Sequence, residues 1–431
     1  MINYREETFD IVIVGGGFSG VAAAIAAARE GASVLIADKN GGLGGSAVCA
    51  SVVPFMRYWC FPNPGETADD RYYINNGIFR EILDQMTSLG GFHEPATHFN
   101  PEILKVVLDR MCKKHGIKVL YHAFLFDVES EGRSIRSASF ATTAGTYIAK
   151  AKIFIDASGD GHLAFLSGCE YELGRTEDGY CQPITTNFRI SNIDFDKCGG
   201  FGGADKLINA AYKKAKDEGK LINPRENVLC FRTSDPRAIS FNMTRIVKKN
   251  PVDPFDISES EAVAREQMIE LYDLVKNNVP GFEEAVITLS GPDIGIRESR
   301  RIIGDYVINA DDILSCRAFD DSVACGAYSI DIHNPSGTGT HIEKIPKGKY
   351  YKIPYRSLIA KDKDNLLVVG RCISSTHEAQ SAYRVMPIVC CIGEGGGVAA
   401  GKAIADNVSI RNVDIAEVRR KLKNEYNATI D

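Results

Sequence analysis

A glycine-rich turn near the start of the chain joins an apolar run to an alanine-rich segment. Residues 11–14 are apolar and β-branched, which predicts a buried parallel strand. Three glycines follow in the spacing G-x-G-x-x-G: Gly15, Gly17 and Gly20. Residues 21–29 predict a helix, and a second apolar run at 32–37 ends on Asp38. The order strand, turn, helix, strand and acid predicts a βαβ unit that binds a dinucleotide.

Each part of this unit has a physical role in holding a dinucleotide. Gly15 permits a tight turn, Gly17 lets the backbone approach a pyrophosphate, and Gly20 lets the helix pack closely. The helix N-terminus offers free N–H groups to the phosphates. Asp38 is placed to accept hydrogen bonds from a ribose diol, and its charge favours a ribose without a 2′-phosphate. The fingerprint alone fits either FAD or NAD.

Charge and cysteine content exclude several classes of function. The 431 residues carry a net charge of −6, so no basic field is available to recruit nucleic acid. Residues 1–10 lack the apolar core of a signal peptide, and we expect no membrane span. The 12 cysteines are irregularly spaced and contain no C-x-x-C, which predicts reduced thiols, no disulfide-reductase chemistry and a cytoplasmic location.

Helix signals occur along the whole chain. We expect a helix over about 73–89 and another that begins after the N-cap Asn100 and stops before Gly116. The pattern Ser258-x-x-Glu261 predicts a capping box that opens a helix to about residue 278. Residues 392–405 predict a glycine-rich and then alanine-rich helix that starts near Gly393.

Several segments beyond the first fingerprint share a family pattern. They are residues 10–39, 41–46, 153–161, 293–301, 331–335 and 351–405. On these segments the chain resembles FAD-dependent oxidoreductases with a flavin domain of the glutathione-reductase type. It is most similar to a largely uncharacterised branch that is distantly related to fumarate reductase flavoproteins.

The resemblance implies an α/β fold in which a Rossmann-like FAD-binding domain is discontinuous. Residues 1–165 and 351–431 would form that domain, and residues 166–350 an inserted α+β substrate domain. It also shifts the expected dinucleotide from NAD to FAD. The implied FAD-binding residues are Gly15, Gly17, Phe18, Ser19, Gly20, Asp38, Lys39, Gly44, Gly45, Ser46, Leu125, Ala157, Ser158, Gly159, Gly370, Arg371, Gly393, Gly397 and Val398.

The glycines at 393–397 predict a contact with the flavin ring, because they carry almost no side-chain bulk. A helix that begins there would point its positive end at the N1/C2 carbonyl edge of the flavin and stabilise the reduced form. Glu394 would then lie beside reduced flavin and lower its reduction potential.

Four residues are candidates for substrate chemistry. Arg384 could anchor a substrate carboxylate or carbonyl, or instead pair with a structural carboxylate. His377 could carry a proton, or be a buried neutral histidine bonded to a carbonyl. His333 shares a strand face with Asp331, which predicts an acid–base pair or half of a metal site; without a third ligand we predict no metal.

Arg297 is the fourth candidate. On a helix, Arg297, Arg300 and Arg301 would share one face, either as an anion-binding face towards the flavin or as a salt-bridged packing face. The resemblance also implies that Cys49 and Cys372 lie near the flavin, where we expect them to be small buried apolar groups.

These observations predict an FAD-dependent oxidoreductase that transfers a hydride between flavin N5 and a small polar organic substrate bound between the domains. One alternative is a reductase of an activated double bond that a separate electron donor supplies. Another is a flavin-binding subunit or sensor without turnover. The expected partners are a small-molecule substrate and a separate electron donor or acceptor, with no nucleic acid.

Overall fold

A computed structural model describes residues 4–61 and 70–431. In the first part of the chain the elements are β1 (Tyr4–Val14), α1 (Phe18–Arg29), β2 (Val34–Ala37), α2 (Ser46–Cys49), β3 (Trp59–Cys60), β4 (Tyr72–Tyr73), α3 (Ile78–Ser88), α4 (Pro101–Lys114), β5 (Lys118–Leu120), β6 (Phe124–Glu131), β7 (Ser134–Thr142), β8 (Gly145–Asp156) and α5 (His162–Leu166).

The remaining elements follow in two groups. In the middle lie β9 (Tyr171–Leu173), β10 (Asn187–Ser191), α6 (Phe201–Asp217), β11 (Cys230–Arg232), β12 (Ile239–Asn242), α7 (Pro254–Asn278), β13 (Val286–Ser290), β14 (Arg300–Ile302), α8 (Ala310–Leu314), β15 (Ser322–Gly326), β16 (Ile330–His333) and β17 (Thr340–Glu343). At the end lie β18 (Tyr351–Pro354), β19 (Leu366–Val368), α9 (His377–Tyr383), α10 (Met386–Asp406) and α11 (Ile415–Glu425).

The main sheet has the strand order β5-β2-β1-β8-β7-β6, with β19 also paired to β8. Strands β5, β2, β1, β8 and β19 run parallel, and β7 is antiparallel to both β8 and β6. The carboxyl ends of β1, β2 and β8 therefore lie at one edge, where a doubly wound fold binds its ligand. The predicted α/β fold of Rossmann type is confirmed.

A second layer is built from the middle of the chain. Its four-stranded antiparallel sheet, in the order β11-β12-β10-β13, shares a separate apolar cluster with α6 and α7. The division at residues 165 and 350 stays a prediction. Strand β15 pairs with β18 across the second boundary, and Val323 and Ile330 belong to the larger core.

The capping residues at two helix N-termini show which predicted helix start is correct and which is wrong. The Asn100 side chain accepts hydrogen bonds from the N–H groups of Glu102 (2.9 Å) and Ile103 (3.4 Å), so the predicted start of α4 is confirmed. The predicted capping box at Ser258 is wrong. Asp253 caps α7 instead, since proline follows it at the first helical position.

The predicted start of the last long helix at Gly393 is also wrong, because α10 begins at Met386. Gly393 and Gly397 lie inside the helix and face α1. A Cβ on Gly393 would lie 2.0 Å from the carbonyl oxygen of Ser19, and one on Gly397 would lie 2.3 Å from that of Ala23. The glycines therefore allow the backbones of two helices to cross closely, which the expected flavin contact does not explain.

Helix α10 is long and apolar enough to cross a membrane by those two criteria. The mean hydropathy of its most apolar window is 1.4, but 83% of that window is buried inside the protein. Its close packing on α1 is that of a core helix.

Candidate functional site

A cavity of about 730 Å³ lies at the carboxyl edge of the main sheet and extends under the second layer. Its walls include 15 of the 19 residues expected to hold FAD: Gly15, Gly17, Phe18, Ser19, Asp38, Lys39, Gly44, Gly45, Ser46, Leu125, Ala157, Ser158, Gly159, Gly370 and Arg371. Gly20, Gly393, Gly397 and Val398 do not line it.

The glycine turn forms one end of this cavity. Gly15 adopts φ +105°, and a Cβ there would lie 2.4 Å from the Ala157 carbonyl oxygen. A Cβ on Gly17 would instead meet a single neighbour, the Gly45 Cα at 3.9 Å. Gly17 is also the N-cap of α1 and supplies no side-chain acceptor, so the first-turn N–H groups are available to a ligand. The turn therefore fits a dinucleotide pyrophosphate.

Asp38 closes the same turn from the end of β2. Its carboxylate oxygens accept hydrogen bonds from the N–H groups of Gly16 (2.6 Å) and Asn40 (2.7 Å). Burial raises the pKa of Asp38, and those hydrogen bonds oppose the rise. Asp38 thus orders the loop and still lines the cavity. Arg371 anchors the opposite wall through Gly159 O (2.8 Å) and Asp160 Oδ1 (2.7 Å).

The flavin contacts expected of Gly393, Gly397 and Val398 are corrected by this geometry. These residues are buried in α10, where the glycines pack against α1. Residues 384–386 and 389, at the beginning of the helix, line the cavity instead. The positive end of the α10 dipole is therefore directed to the cavity from Met386, two turns before the predicted position.

Glu394 also has a structural partner in place of the expected flavin. Its Oε2 accepts a hydrogen bond from the N–H of Ile78 (2.6 Å) and caps α3, whose N-cap Gly77 has no side chain. Burial raises the pKa of Glu394 to about 8. The predicted effect of Glu394 on flavin potential therefore has no geometric support.

Glu394→Gln should remove a pH-dependent loss of stability. Between pH 4.5 and about 8 the unfolded chain ionises this carboxyl while the folded chain keeps it protonated, so stability falls as pH rises. We expect the variant to gain several kcal/mol relative to wild type from pH 5 to pH 8, on the order of 1.4 kcal/mol per unit of pKa shift. Urea unfolding at several pH values measures this. A difference that does not change with pH would contradict the assignment.

At its other end the cavity meets a cluster of four arginines, here called the arginine cluster: Arg225, Arg245, Arg297 and Arg384. Arg225, Arg297 and Arg384 line the cavity. Arg245 lies behind His333, with 3.4 Å between its Nη2 and the His333 Nδ1. Arg225 comes from the loop before β11 and Arg245 from the loop after β12, so the second layer supplies half of the cluster.

Two members of the cluster have donor groups without protein acceptors. The Nε of Arg384 is buried and has no hydrogen-bond partner among residues 4–61 and 70–431. Arg225 is 7% exposed, and among the same residues its guanidinium forms no hydrogen bond or ion pair. Buried donors of this kind are normally satisfied. Because Arg225 lines the cavity and its guanidinium nitrogens are not among the fully buried unpaired atoms, an anionic ligand there would pair with that guanidinium.

The charges of the cluster are only partly balanced. Asp331 and Glu226 are the carboxylates among the charges that perturb these arginines most, so positive charge is in excess within the cluster. Burial and then the other three arginines lower the pKa of Arg297 well below its usual value. Burial and the same four arginines lower the pKa of His333, which is therefore neutral at pH 7.

The contacts of His333 fix its tautomer. Because an arginine only donates, Arg245 makes Nδ1 of His333 an acceptor and leaves the proton on Nε2. That Nε2 lies 3.8 Å from Oδ2 of Asp331, which also accepts a hydrogen bond from the Tyr328 hydroxyl (2.6 Å). Tyr328, Asp331 and His333 all line the cavity. The site thus places proton-carrying groups beside the arginine cluster.

His377 is corrected from proton carrier to structural partner. It does not line the cavity, and its Nδ1 bonds a carboxylate oxygen of Glu298 at 2.8 Å. The prediction that Arg297, Arg300 and Arg301 share one face of a helix is wrong as well, because residues 300–302 form strand β14. The Arg301 guanidinium is buried against Glu298, whereas Arg300 lies 4.1 Å from the Phe165 ring centre.

Only one of the two cysteines expected near the flavin lines the cavity. Cys49 lines the cavity, and burial raises its pKa to about 11, so it is a protonated thiol. Cys372 is fully buried away from the cavity. Among the described residues no cluster of three or more histidine, cysteine, aspartate or glutamate side chains has metal-binding geometry.

Sequence reasoning missed Arg225, Arg245 and Tyr328. No short motif surrounds these residues, and their approach to the cavity depends on how the second layer packs. In the sequence these residues stand alone in a segment of weak hydrophobic periodicity. That feature is too general to identify them as site residues.

Comparison with known proteins identifies the family pattern over nearly the whole chain. A family model described as FAD dependent oxidoreductase matches residues 10–422. NADH:fumarate oxidoreductase of Klebsiella pneumoniae (strain 342) is 35% identical over 101 residues, which are 23% of this chain and 9% of that protein. An uncharacterised protein of Methanosarcina barkeri is 45% identical over 49 residues, 11% of this chain and 26% of its own length.

Two similar solved structures share little sequence identity with this chain. A flavoprotein/dehydrogenase from Cytophaga hutchinsonii has 13% identity and a TM-score of 0.48, with coverage of 97% of this chain and 84% of its own. A p-nitrophenol 4-monooxygenase from Pseudomonas putida DLL-E4 has 12% identity and a TM-score of 0.48, with coverage of 97% and 87%.

Proposed function

This chain belongs to the FAD-dependent oxidoreductase family, and from that premise we propose that it transfers a hydride between FAD and a small polar organic acid. The observation that carries the proposal is the arginine cluster at the end of the cavity opposite the glycine turn. FAD, when bound, supplies a two-electron hydride acceptor or donor at N5. The glycine turn, the α1 N-terminus and Asp38 would hold its dinucleotide part.

The arginine cluster would bind and orient the substrate carboxylate. Arg384 and Arg225 offer donors that no described protein group satisfies, and a planar guanidinium pairs with a carboxylate through two hydrogen bonds. The α10 N-terminus in the same wall adds a partial positive charge. The excess of positive charge in the cluster would accommodate a second negative charge on the substrate.

His333 would move the proton that accompanies the hydride. In the free site burial and then the arginines lower the pKa of His333 and keep it neutral, with its proton on Nε2. A bound anion would offset the positive charges and raise the pKa of His333 towards neutrality. The Asp331 carboxylate, 3.8 Å away and held by Tyr328, would orient the ring. Charge balance and proton supply would then be coupled to substrate binding.

A second candidate is the reduction of an activated double bond beside a carboxylate, with electrons from a separate donor. The chain carries no second G-x-G-x-x-G with a following acid, so it offers no evident pyridine-nucleotide site of its own. The name of the Klebsiella relative, NADH:fumarate oxidoreductase, is consistent with this candidate. We also propose a cytoplasmic location, since the cysteines are irregularly spaced and no disulfide joins two of them among residues 4–61 and 70–431.

Anaerobic mixing of the FAD-loaded protein with panels of small organic acids tests the proposal. Oxidised protein is mixed with saturated and hydroxy acids, and dithionite-reduced protein with 2-oxo acids and unsaturated acids. The corresponding amides are the neutral controls. We expect an acid, and not its amide, to change the visible flavin absorbance in one direction. Loss of absorbance with hydroxy acids favours the first candidate, recovery with unsaturated acids favours the second, and no response to any acid contradicts both.

A further inference from the structure

Two buried glutamine side chains, Gln182 and Gln380, connect the candidate substrate-binding residues to one another. Each is 1% exposed, and neither lines the cavity. Gln182 precedes β10 in the second layer, and Gln380 lies on α9. Their side chains meet with 3.2 Å between Nε2 of Gln182 and Oε1 of Gln380. We call this pair of contacting side chains, Gln182 and Gln380, the amide relay.

The two ends of the amide relay allow a single orientation. Gln380 Nε2 donates to the Arg297 carbonyl oxygen at 2.9 Å, a group that can only accept. Gln182 Oε1 accepts from Nη2 of Arg384 at 3.3 Å, a group that can only donate. The contact in which Gln182 Nε2 donates to Gln380 Oε1 is consistent with the orientation that each end requires. Rotation of either amide would set donor against donor and acceptor against acceptor.

The relay also reaches the third candidate residue. Gln182 Oε1 accepts from the backbone N–H of His333 at 3.4 Å, and the backbone N–H of Gln182 donates to Glu298 at 2.9 Å. Glu298 is fixed in turn by Arg301 and His377. Gln182 therefore ties the segments that carry Arg384 and His333, and through Gln380 it is linked to the segment that carries Arg297.

The chemistry of the acceptor matters as much as its position. An amide oxygen is neutral, so it can hold the Arg384 guanidinium in place without cancelling its charge. A carboxylate at the same place would form an ion pair with Arg384 and leave it less able to attract an anion. We propose that Gln182 is a positioning residue that aims Arg384 at the substrate and preserves its charge, and that Gln380 fixes the direction of this amide. This inference rests on the proposed function of the arginine cluster.

Binding of malonate, a small unreactive dianion, tests the relay by isothermal titration calorimetry on the FAD-loaded protein. Gln182→Glu keeps the shape and the acceptor towards Arg384, adds a charge and replaces the donor to Gln380 with a second carboxylate oxygen. We expect it to weaken malonate binding roughly tenfold to a hundredfold. Gln182→Met removes one of two acceptors of Arg384 Nη2 without adding charge and leaves the other, the Asp331 carbonyl oxygen at 3.3 Å, so we expect a loss of roughly threefold to tenfold. Raising the ionic strength should weaken binding to wild type more than to Gln182→Glu.

Asn75→Asp is the matched control for a carboxylate in place of a buried amide. Asn75 is 1% exposed and bonds the Cys325 carbonyl oxygen, outside the cavity. The Asn75→Asp variant should have a lower melting temperature than wild type but the same affinity for malonate. If Gln182→Glu and Gln182→Met both bind malonate as wild type does, the amide relay has no positioning role. If they weaken binding equally, the proposed charge effect is overturned. If wild type does not bind malonate, the arginine cluster is not an anion site, and the proposed function and this inference both fail.

Discussion

Arg384→Met is expected to lower kcat/KM for an organic acid about a hundredfold to a thousandfold while FAD stays bound. Arg384 lines the cavity, and its Nε has no acceptor among the described residues. Truncating one partner of a buried charge pair typically costs about 2–5 kcal/mol, or roughly thirtyfold to several thousandfold, and the expected loss lies within this range. Because methionine has a similar length and no charge, the loss reports the guanidinium rather than a cavity. Steady-state kinetics with the acid identified in the anaerobic panel measures it.

Arg189→Met is the matched control for this variant. Arg189 belongs to β10 of the second layer, has a buried Nε without a described partner, and does not line the cavity. We expect its kcat/KM to stay within about threefold of wild type. Arg384→Lys should recover only part of the activity, since an ammonium cannot reproduce the planar two-bond contact. Equal losses in the Arg384 and Arg189 methionine variants would show that Arg384 acts through stability alone.

Gly17→Val is expected to leave a folded protein that binds FAD at least a hundredfold more weakly. A Cβ at Gly17 meets only the Gly45 Cα, at 3.9 Å, so the chain itself tolerates the side chain. The residue lines the cavity at the N-terminus of α1, where backbone must come close to a pyrophosphate. Near-ultraviolet circular dichroism reports the fold, and titration of the FAD-free protein with FAD reports affinity.

Gly15→Ala is the contrasting variant from the same turn. Its Cβ would lie 2.4 Å from the Ala157 carbonyl oxygen, and φ is +105°. We therefore expect a large loss of stability with or without FAD, of about 3 kcal/mol or more. If Gly17→Val bound FAD as wild type does, the glycine turn would not be the pyrophosphate site. If Gly17→Val unfolded like Gly15→Ala, its effect on FAD would be indirect.

Much of the FAD half of the site was predictable because its parts are close in sequence. The glycine turn, Asp38 and the α1 N-terminus lie within one βαβ unit, and local steric demands set their spacing. The errors there concern helix boundaries. The glycines at 393–397 have the composition of a turn, and only their contact with α1 reveals a helix interior. Propensity alone cannot weigh that packing.

The substrate half was predictable only for residues that stand in family-like segments. Arg384, Arg297 and His333 were candidates from the sequence, and all three line the cavity. His377 was a candidate too, but α9 turns it towards Glu298. Arg225 and Arg245 gave no local signal, because an isolated arginine in a loop is usually a solvated surface charge.

The sequence by itself determined the nucleotide fingerprint and the α/β class, since both depend on short-range periodicity and on the steric freedom of glycine. The resemblance of longer segments to FAD-dependent oxidoreductases added the expectation of FAD. The tertiary structure decided which charges meet. The second layer brings Arg225 and Arg245 to Arg297 and Arg384, and the amide relay joins residues up to 202 positions apart. Electrostatic interactions depend on distance through space and on burial, and neither is encoded in the spacing of residues along the chain.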